Sequence, residues 1–148
     1  MINCFQGLID SKNERYKSKY LDIAQKISEL SHANRKKVGC IIVKNSVIIS
    51  DGFNGTPSGY ENECEDIDGK TKWYTLHAEA NAIMKLVRTG GTSAVGSTLY
   101  LTLSPCKDCA KLILQSGIIN VIYNEEYRDT TGIDFLKKSN INIIKFRK

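Results

Sequence analysis

The sequence predicts an α/β layer fold, and three observations carry that prediction. A short apolar hairpin near residue 40 is followed by helical and strand-like segments in alternation. The strand–helix–strand order over residues 97–123 implies parallel pairing with a right-handed crossover. The 148 residues, 41% hydrophobic and 25% charged, suit one domain with a real core, taken as residues 1–148.

Each element has its own signal. "YKSKYLDIAQKISELS" places Tyr20, Ile23, Ala24, Ile27 and Leu30 at helical spacing. "VGCIIV" and "SVIIS" read as two strands joined at Lys44–Asn45. "DGFNGTPSGY" holds three glycines and a proline and reads as an elaborate loop, and "ENECEDIDGK" is polar and acidic. "HAEANAIMKLVR" is helical, with Ala80, Ile83 and Val87 along one face and Gly90–Gly91 at its end. "STLYLTL" is a strand, "KDCAKLILQS" a helix stopped by Gly117, and "IINVIY" a strand. "TGIDFLKKS" reads as a further helix and "INIIKF" as the last strand.

Composition narrows the function classes. No apolar run approaches the ~18 residues of a membrane span. The first twenty residues lack the apolar core of a signal peptide, so a soluble cytoplasmic protein is expected. The chain shows no repeat, low-complexity tract or interdomain linker. Its net charge of +5 gathers at Lys12–Lys19, Arg35–Lys37 and Lys137–Lys148. These clusters read as solvated surface, with attraction for phosphate-bearing ligands as the alternative. Five irregularly spaced cysteines should be reduced in such a compartment. Cys40, inside "VGCIIV", reads as a buried structural thiol, and Cys4 is assigned no role.

Cys106 and Cys109 open a helix, and His77 opens another. Thiolates are favoured at the positive end of a helix dipole. Two helix starts from neighbouring strand–helix units can face each other, so His77, Cys106 and Cys109 could form a three-ligand zinc site. Three protein ligands leave a fourth tetrahedral position for water, the catalytic pattern of zinc. Glu79, two residues after His77, can move protons beside that water without binding metal. His-x-Glu followed by Pro-Cys-x-x-Cys is the signature of zinc-dependent nucleobase deaminases. Three other readings stay open: a redox pair of cysteines, a structural zinc site completed by Cys64 or His32, and a core histidine beside unrelated cysteines.

Residues 15 to 146 resemble the deoxycytidylate deaminase family of the cytidine deaminase-like fold. The resemblance rests on "RKKVGCIIVKNSVIISDGFNGTPSGYE", "LHAEANAIM", "SPCKDCAKLILQSGIINVIY" and "YRDTTGIDFLKKSNINI". The loop "GFNGTPSG" is the most specific part, because cytidine and tRNA-adenosine deaminases share the zinc motifs but not this loop in full.

The resemblance implies a three-layer fold, a central mixed five-stranded sheet flanked by helices. It implies hydrolysis of dCMP to dUMP and ammonia, with Zn²⁺ held by His77, Cys106 and Cys109 and with Glu79 as the proton shuttle. It places the Ala78 backbone N–H at the pyrimidine O2, the Ser104 carbonyl at the C4 amine, and Asn54 at the deoxyribose hydroxyl. Arg35 and Arg128 become phosphate candidates, and Tyr127 lies near the base or sugar. Asn54, Gly55, Thr56 and Gly59 resemble a regulatory nucleotide loop, with dCTP and Mg²⁺ activating, dTTP inhibiting, and a hexameric assembly. Gly55 and Gly59 are expected to free backbone N–H groups for an anion. Several phage and bacterial relatives have Ser-x-Cys-x-Arg where this chain has "SHANR". Some of those hold a second, structural zinc; with Ala33 in place of that cysteine, one zinc per chain is expected. Neither a membrane nor a nucleic acid is an expected partner. Action on dCTP as well, action on a polynucleotide base, and a non-catalytic zinc interaction module remain the alternatives.

Overall fold

The computed structural model describes residues 13–147; Cys4, Lys12 and Lys148 lie outside the described residues. Helix α1 (Glu14–Ser28) precedes the hairpin of β1 (Gly39–Lys44) and β2 (Val47–Phe53). Then come α2 (Ala78–Thr89), β3 (Thr98–Leu103), α3 (Lys107–Ser116), β4 (Asn120–Glu125), α4 (Thr131–Lys138) and β5 (Asn142–Lys145).

The five strands form one mixed sheet in the order β2-β1-β3-β4-β5. β1 pairs antiparallel with β2 and with β3, where Cys40 faces Leu101. β3, β4 and β5 pair in parallel, with Leu99 beside Val121 and Val121 beside Ile143. On one face Cys40, Ile42, Leu99, Leu101, Val121 and Tyr123 meet α2, α3 and α4 through Ala82, Leu86, Ala110, Ile113, Ile133 and Leu136. On the other face Ile41, Val43, Tyr100 and Ile122 meet Tyr20 and Leu21 of α1. Helices thus cover both faces in three layers, which is why the central strands read as unbroken apolar runs. Cys40 is fully buried in this core, as expected, and burial pushes its thiol well above the ordinary value.

Several boundaries differ from the sequence expectation, each for a physical reason. α1 starts earlier, at Glu14, because the Asn13 side chain accepts a hydrogen bond from the Arg15 N–H and caps it. Its buried stripe is Lys17, Tyr20, Leu21, Ala24 and Ser28, whereas Leu30 lies beyond the helix and is 57% exposed. Lys17 is therefore no solvated charge; it is buried and paired with Glu14 at 3.0 Å. The hairpin turns one residue later, at Asn45–Ser46, both with positive φ (52° and 63°). Two left-handed central residues match the twist of paired strands.

β2 continues through Asp51–Gly52–Phe53, a stretch read as loop. A Cβ on Gly52 would sit 2.3 Å from the Ala78 carbonyl oxygen and 2.7 Å from the Ala82 nitrogen. The missing side chain lets β2 press against the start of α2. α2 accordingly buries Ala78, Glu79, Ala80, Ala82 and Leu86, while Val87, expected along one face with Ala80 and Ile83, is 69% exposed.

Candidate metal centre and active site

His77 is the N-cap of α2 and Cys106 the N-cap of α3, each without a side-chain capping bond, and Cys109 lies in the first turn of α3. The two helix starts converge near the C-terminal end of β3, the central strand. Cys106 Sγ lies 3.5 Å from His77 Nδ1, Cys109 Sγ lies 3.3 Å from it, and the three ligand atoms fall within 4.8 Å of one another. Zinc bonds of about 2.0 Å to nitrogen and about 2.3 Å to sulfur, at a tetrahedral angle, separate the two donors by about 3.6 Å. The donor set and its spacing therefore fit zinc. Gly132 helps to hold this geometry, because a Cβ there would lie 2.4 Å from the Pro105 oxygen and 2.8 Å from the Cys106 carbonyl carbon.

Protonation suits a metal-binding thiolate. The hydrogen bond from Cys109, followed by that from His77, pulls the Cys106 thiol down to about 4. Cys109 moves upward, because it donates to Cys106 and is buried. The hydrogen bond with Cys106 raises His77. Glu79 follows His77 by two residues but points inward, and it is 4% exposed. Burial, the largest cause, pushes its carboxyl up to about 7. A carboxyl poised near neutrality both accepts and releases a proton with little driving force lost.

His77, Glu79 and Cys106 line a cleft of about 460 Å³. Of the residues singled out in the sequence, Arg35, Asn54, His77, Ala78, Glu79, Ser104, Cys106, Tyr127 and Arg128 all line it. The Asn54 side chain braces the wall formed by residues 36–38: Oδ1 accepts from the Val38 N–H and Nδ2 donates to the Lys36 carbonyl, both at 2.8 Å. The Ser104 hydroxyl accepts from the Tyr127 N–H at 2.7 Å, and the Arg128 guanidinium lies 6.0 Å from the Tyr127 ring centroid.

Gly55, Thr56 and Gly59 are not brought to this cleft. Contrary to expectation, the Gly55 N–H is not free: it donates to Leu76 O at 3.0 Å, and the Leu76 N–H returns a bond to Gly55 O. Gly59 has φ +92° and open space around it. Cys64 and His32, the candidate fourth ligands, stand apart from the metal cluster. Cys64 is buried with Sγ 3.6 Å from Asn62 O, and His32 is exposed.

The family model for the cytidine and deoxycytidylate deaminase zinc-binding region matches residues 11–125. The chain belongs to this family. It is 33% identical to the deoxycytidylate deaminase of Enterobacteria phage T4, with 88% of this chain and 90% of that protein covered. The deoxycytidylate deaminase of phage T2 is 34% identical over 88% of this chain and 92% of its own length. The crystal structure of the dCMP deaminase of cyanophage S-TIM5, in complex with dCMP and dUMP, superposes with a TM-score of 0.87 at 44% identity. That match covers 90% of this chain and 98% of the other. The three-layer architecture and mixed sheet are those of the cytidine deaminase-like fold.

Sequence reasoning missed part of the cleft wall: Lys36, Glu65, Thr75, Glu125 and Glu126 also line it. Glu65 accepts from the backbone N–H groups of Asn34 and Arg35, and Lys36 forms an ion pair with Glu125. A signal was present, since Glu125 and Glu126 lie just before Tyr127–Arg128 and Lys36 adjoins Arg35. Nothing in the one-dimensional pattern joins residue 36 to residue 125; the β1–β3–β4 strand order does.

Proposed function

We propose that the chain hydrolyses dCMP to dUMP and ammonia, using one zinc ion per chain, in the supply of dTTP precursors in the cytoplasm. One observation carries this reading: a buried carboxyl raised toward neutrality, Glu79, lies two residues from His77 in a cleft where Cys106 and Cys109 complete a zinc-type donor set. The names of the relatives supply the nucleotide.

His77, Cys106 and Cys109 would hold the metal, which supplies a Lewis acid that turns water into a nucleophile near neutral pH. Glu79 takes the proton from the attacking water and delivers it to N3 of the cytosine. It then takes the proton of the hydroxyl newly bonded to C4 and passes it to the amine, so that the C4–N bond breaks, the C4 carbonyl forms and ammonia leaves. Burial keeps bulk water from competing for these transfers. The Ala78 N–H and the Ser104 carbonyl orient O2 and the C4 amine, Asn54 takes the deoxyribose hydroxyl, and Tyr127 borders the base or sugar. Arg35 and Arg128 hold the phosphate, a task suited to the forked guanidinium.

Regulation is part of the proposal. dCTP with Mg²⁺ activates and dTTP inhibits by binding around Asn54, Gly55, Thr56 and Gly59 at a contact between subunits of a hexamer. Unequal affinity for two packings of the subunits suffices, with a coupling of about 1–3 kcal/mol. The support is the resemblance of "GFNGTPSG" together with the open, left-handed Gly59. Residues 1–148 act as one catalytic domain.

The test is ammonia release from dCMP, dCTP, deoxycytidine and CMP side by side, with and without dCTP and dTTP. dCMP should turn over fastest. No release from dCMP by the zinc-loaded protein would overturn the reading.

A further inference from the structure

We propose that Glu125 sets the preference for a nucleoside monophosphate over the corresponding triphosphate. This inference rests on the dCMP reading of the cleft. Glu79 lies at the buried floor, whereas Arg35, Lys36, Glu125 and Arg128 are exposed at its rim. A base at the floor sends its phosphate to that rim, and any further phosphoryl groups must pass beyond it.

The rim charges are not equivalent. Lys36 Nζ pairs with a Glu125 carboxylate oxygen at 2.5 Å, joining the segment before β1 to the end of β4. Among the described residues, neither the Arg35 nor the Arg128 guanidinium has a carboxylate within ion-pair distance. Glu126 takes a hydrogen bond from the Tyr123 hydroxyl at 3.2 Å, and among the described residues no cation lies within ion-pair distance of it. Two unpaired guanidinium groups suit one phosphomonoester dianion. Lys36 is held by Glu125, so among the described residues a second or third phosphoryl group meets no unpaired cation at the rim. Glu125 withholds Lys36 from it while the unpaired Glu126 carboxylate repels it, and discrimination of this kind works against the competitor.

The walls cannot simply move aside. The Glu125 carbonyl accepts from the Ser104 N–H at 2.8 Å, and the Tyr127 N–H is tied to the Ser104 hydroxyl. On the facing side the Lys36 carbonyl is held by Asn54 Nδ2. Glu125 is thus fixed at the mouth by backbone bonds that do not depend on its own side chain.

The experiment measures kcat/KM for dCTP, dCMP and uncharged deoxycytidine in the zinc-loaded wild type and in Glu125→Gln, Glu126→Gln and the double variant. Zinc content and melting temperature verify the fold. The dCTP-to-dCMP ratio should rise about tenfold in Glu125→Gln and further in the double variant. In the wild type that ratio should also rise with salt, and in the double variant the dependence should flatten. An unchanged ratio in folded, dCMP-active variants would overturn the proposal while leaving the dCMP reading intact. An equal gain with deoxycytidine would overturn it too, because a neutral substrate feels no repulsion. A wild type inactive on dCMP would overturn the reading beneath it, and this inference with it.

Discussion

Cys109 presents its sulfur 3.3 Å from Nδ1 of His77, across two helices that start at separate points of the chain. Cys64 borders the same cleft but stays outside the cluster. Metal analysis of the purified protein should therefore give about one zinc per chain. Cys106→Ala should lose it and Cys64→Ala should keep it. Two zincs, or loss on changing Cys64, would mean a different ligand set.

Glu79→Ala should retain zinc yet lose dCMP turnover by roughly 10²–10⁴-fold, the usual worth of general acid–base catalysis. Ammonia release and zinc content, measured on the same sample, check this. Turnover near wild type would remove Glu79 from the mechanism.

Burial of Glu79 has a thermodynamic counterpart in metal-free protein. Its folded value, about 7, lies above the ordinary 4.5. Below the ordinary value the group is neutral in both states and there is no penalty. Between the two values the folded state holds the extra proton, so stability falls as pH rises through that window. Chelator-stripped Glu79→Gln should thus be more stable than stripped wild type at pH 8, by about 1–3 kcal/mol, with a smaller difference at pH 5.5. Urea melts at the two pH values measure it; a gain independent of pH would contradict it.

Gly132→Val should reduce stability by about 1–3 kcal/mol, because its Cβ would strike Pro105 and Cys106 backbone atoms that cannot swing away. Displacing Cys106 should also weaken zinc, read by competition with a chromophoric chelator. A variant with unaltered zinc affinity and melting would show that α4 does not brace the centre.

Activity against dCMP should be sigmoidal without effector, hyperbolic with dCTP and Mg²⁺, and depressed by dTTP. Gly59→Val should blunt the dCTP response more than it lowers zinc binding, since its backbone sits at φ +92°. Hyperbolic kinetics that ignore both triphosphates, with no dCTP binding by calorimetry, would return residues 54–59 to an ordinary turn.

What the sequence disclosed divides along physical lines. The convergence of His77, Cys106 and Cys109 was legible because it follows from short local spacings at helix starts. The strands of the sheet were legible from their apolar content, although β2 was cut short. The inner face of α2 was legible only in part: Ala80 and Ile83 turn to the core as one apolar face, but the helix also packs Ala78 and Ala82 against Gly52 and buries Glu79, leaving Val87 outside. A helix that packs this closely uses small residues, which carry little apolar signal. The Lys36–Glu125 pair was also invisible, being created by strand order alone.

His77 and Cys106 cap helices whose positions are set by the sheet, whereas Arg35, Lys36 and Arg128 ride on segments that connect elements and Glu125 is the last residue of β4. On the proposed function, reactivity and selectivity lie on different parts of the chain. The proposed roles would let a lineage exchange residues 33–37 or 125–128, and so change the nucleotide it accepts, without disturbing His77, Glu79, Cys106 and Cys109. The same separation tells an engineer where to vary and where to leave alone.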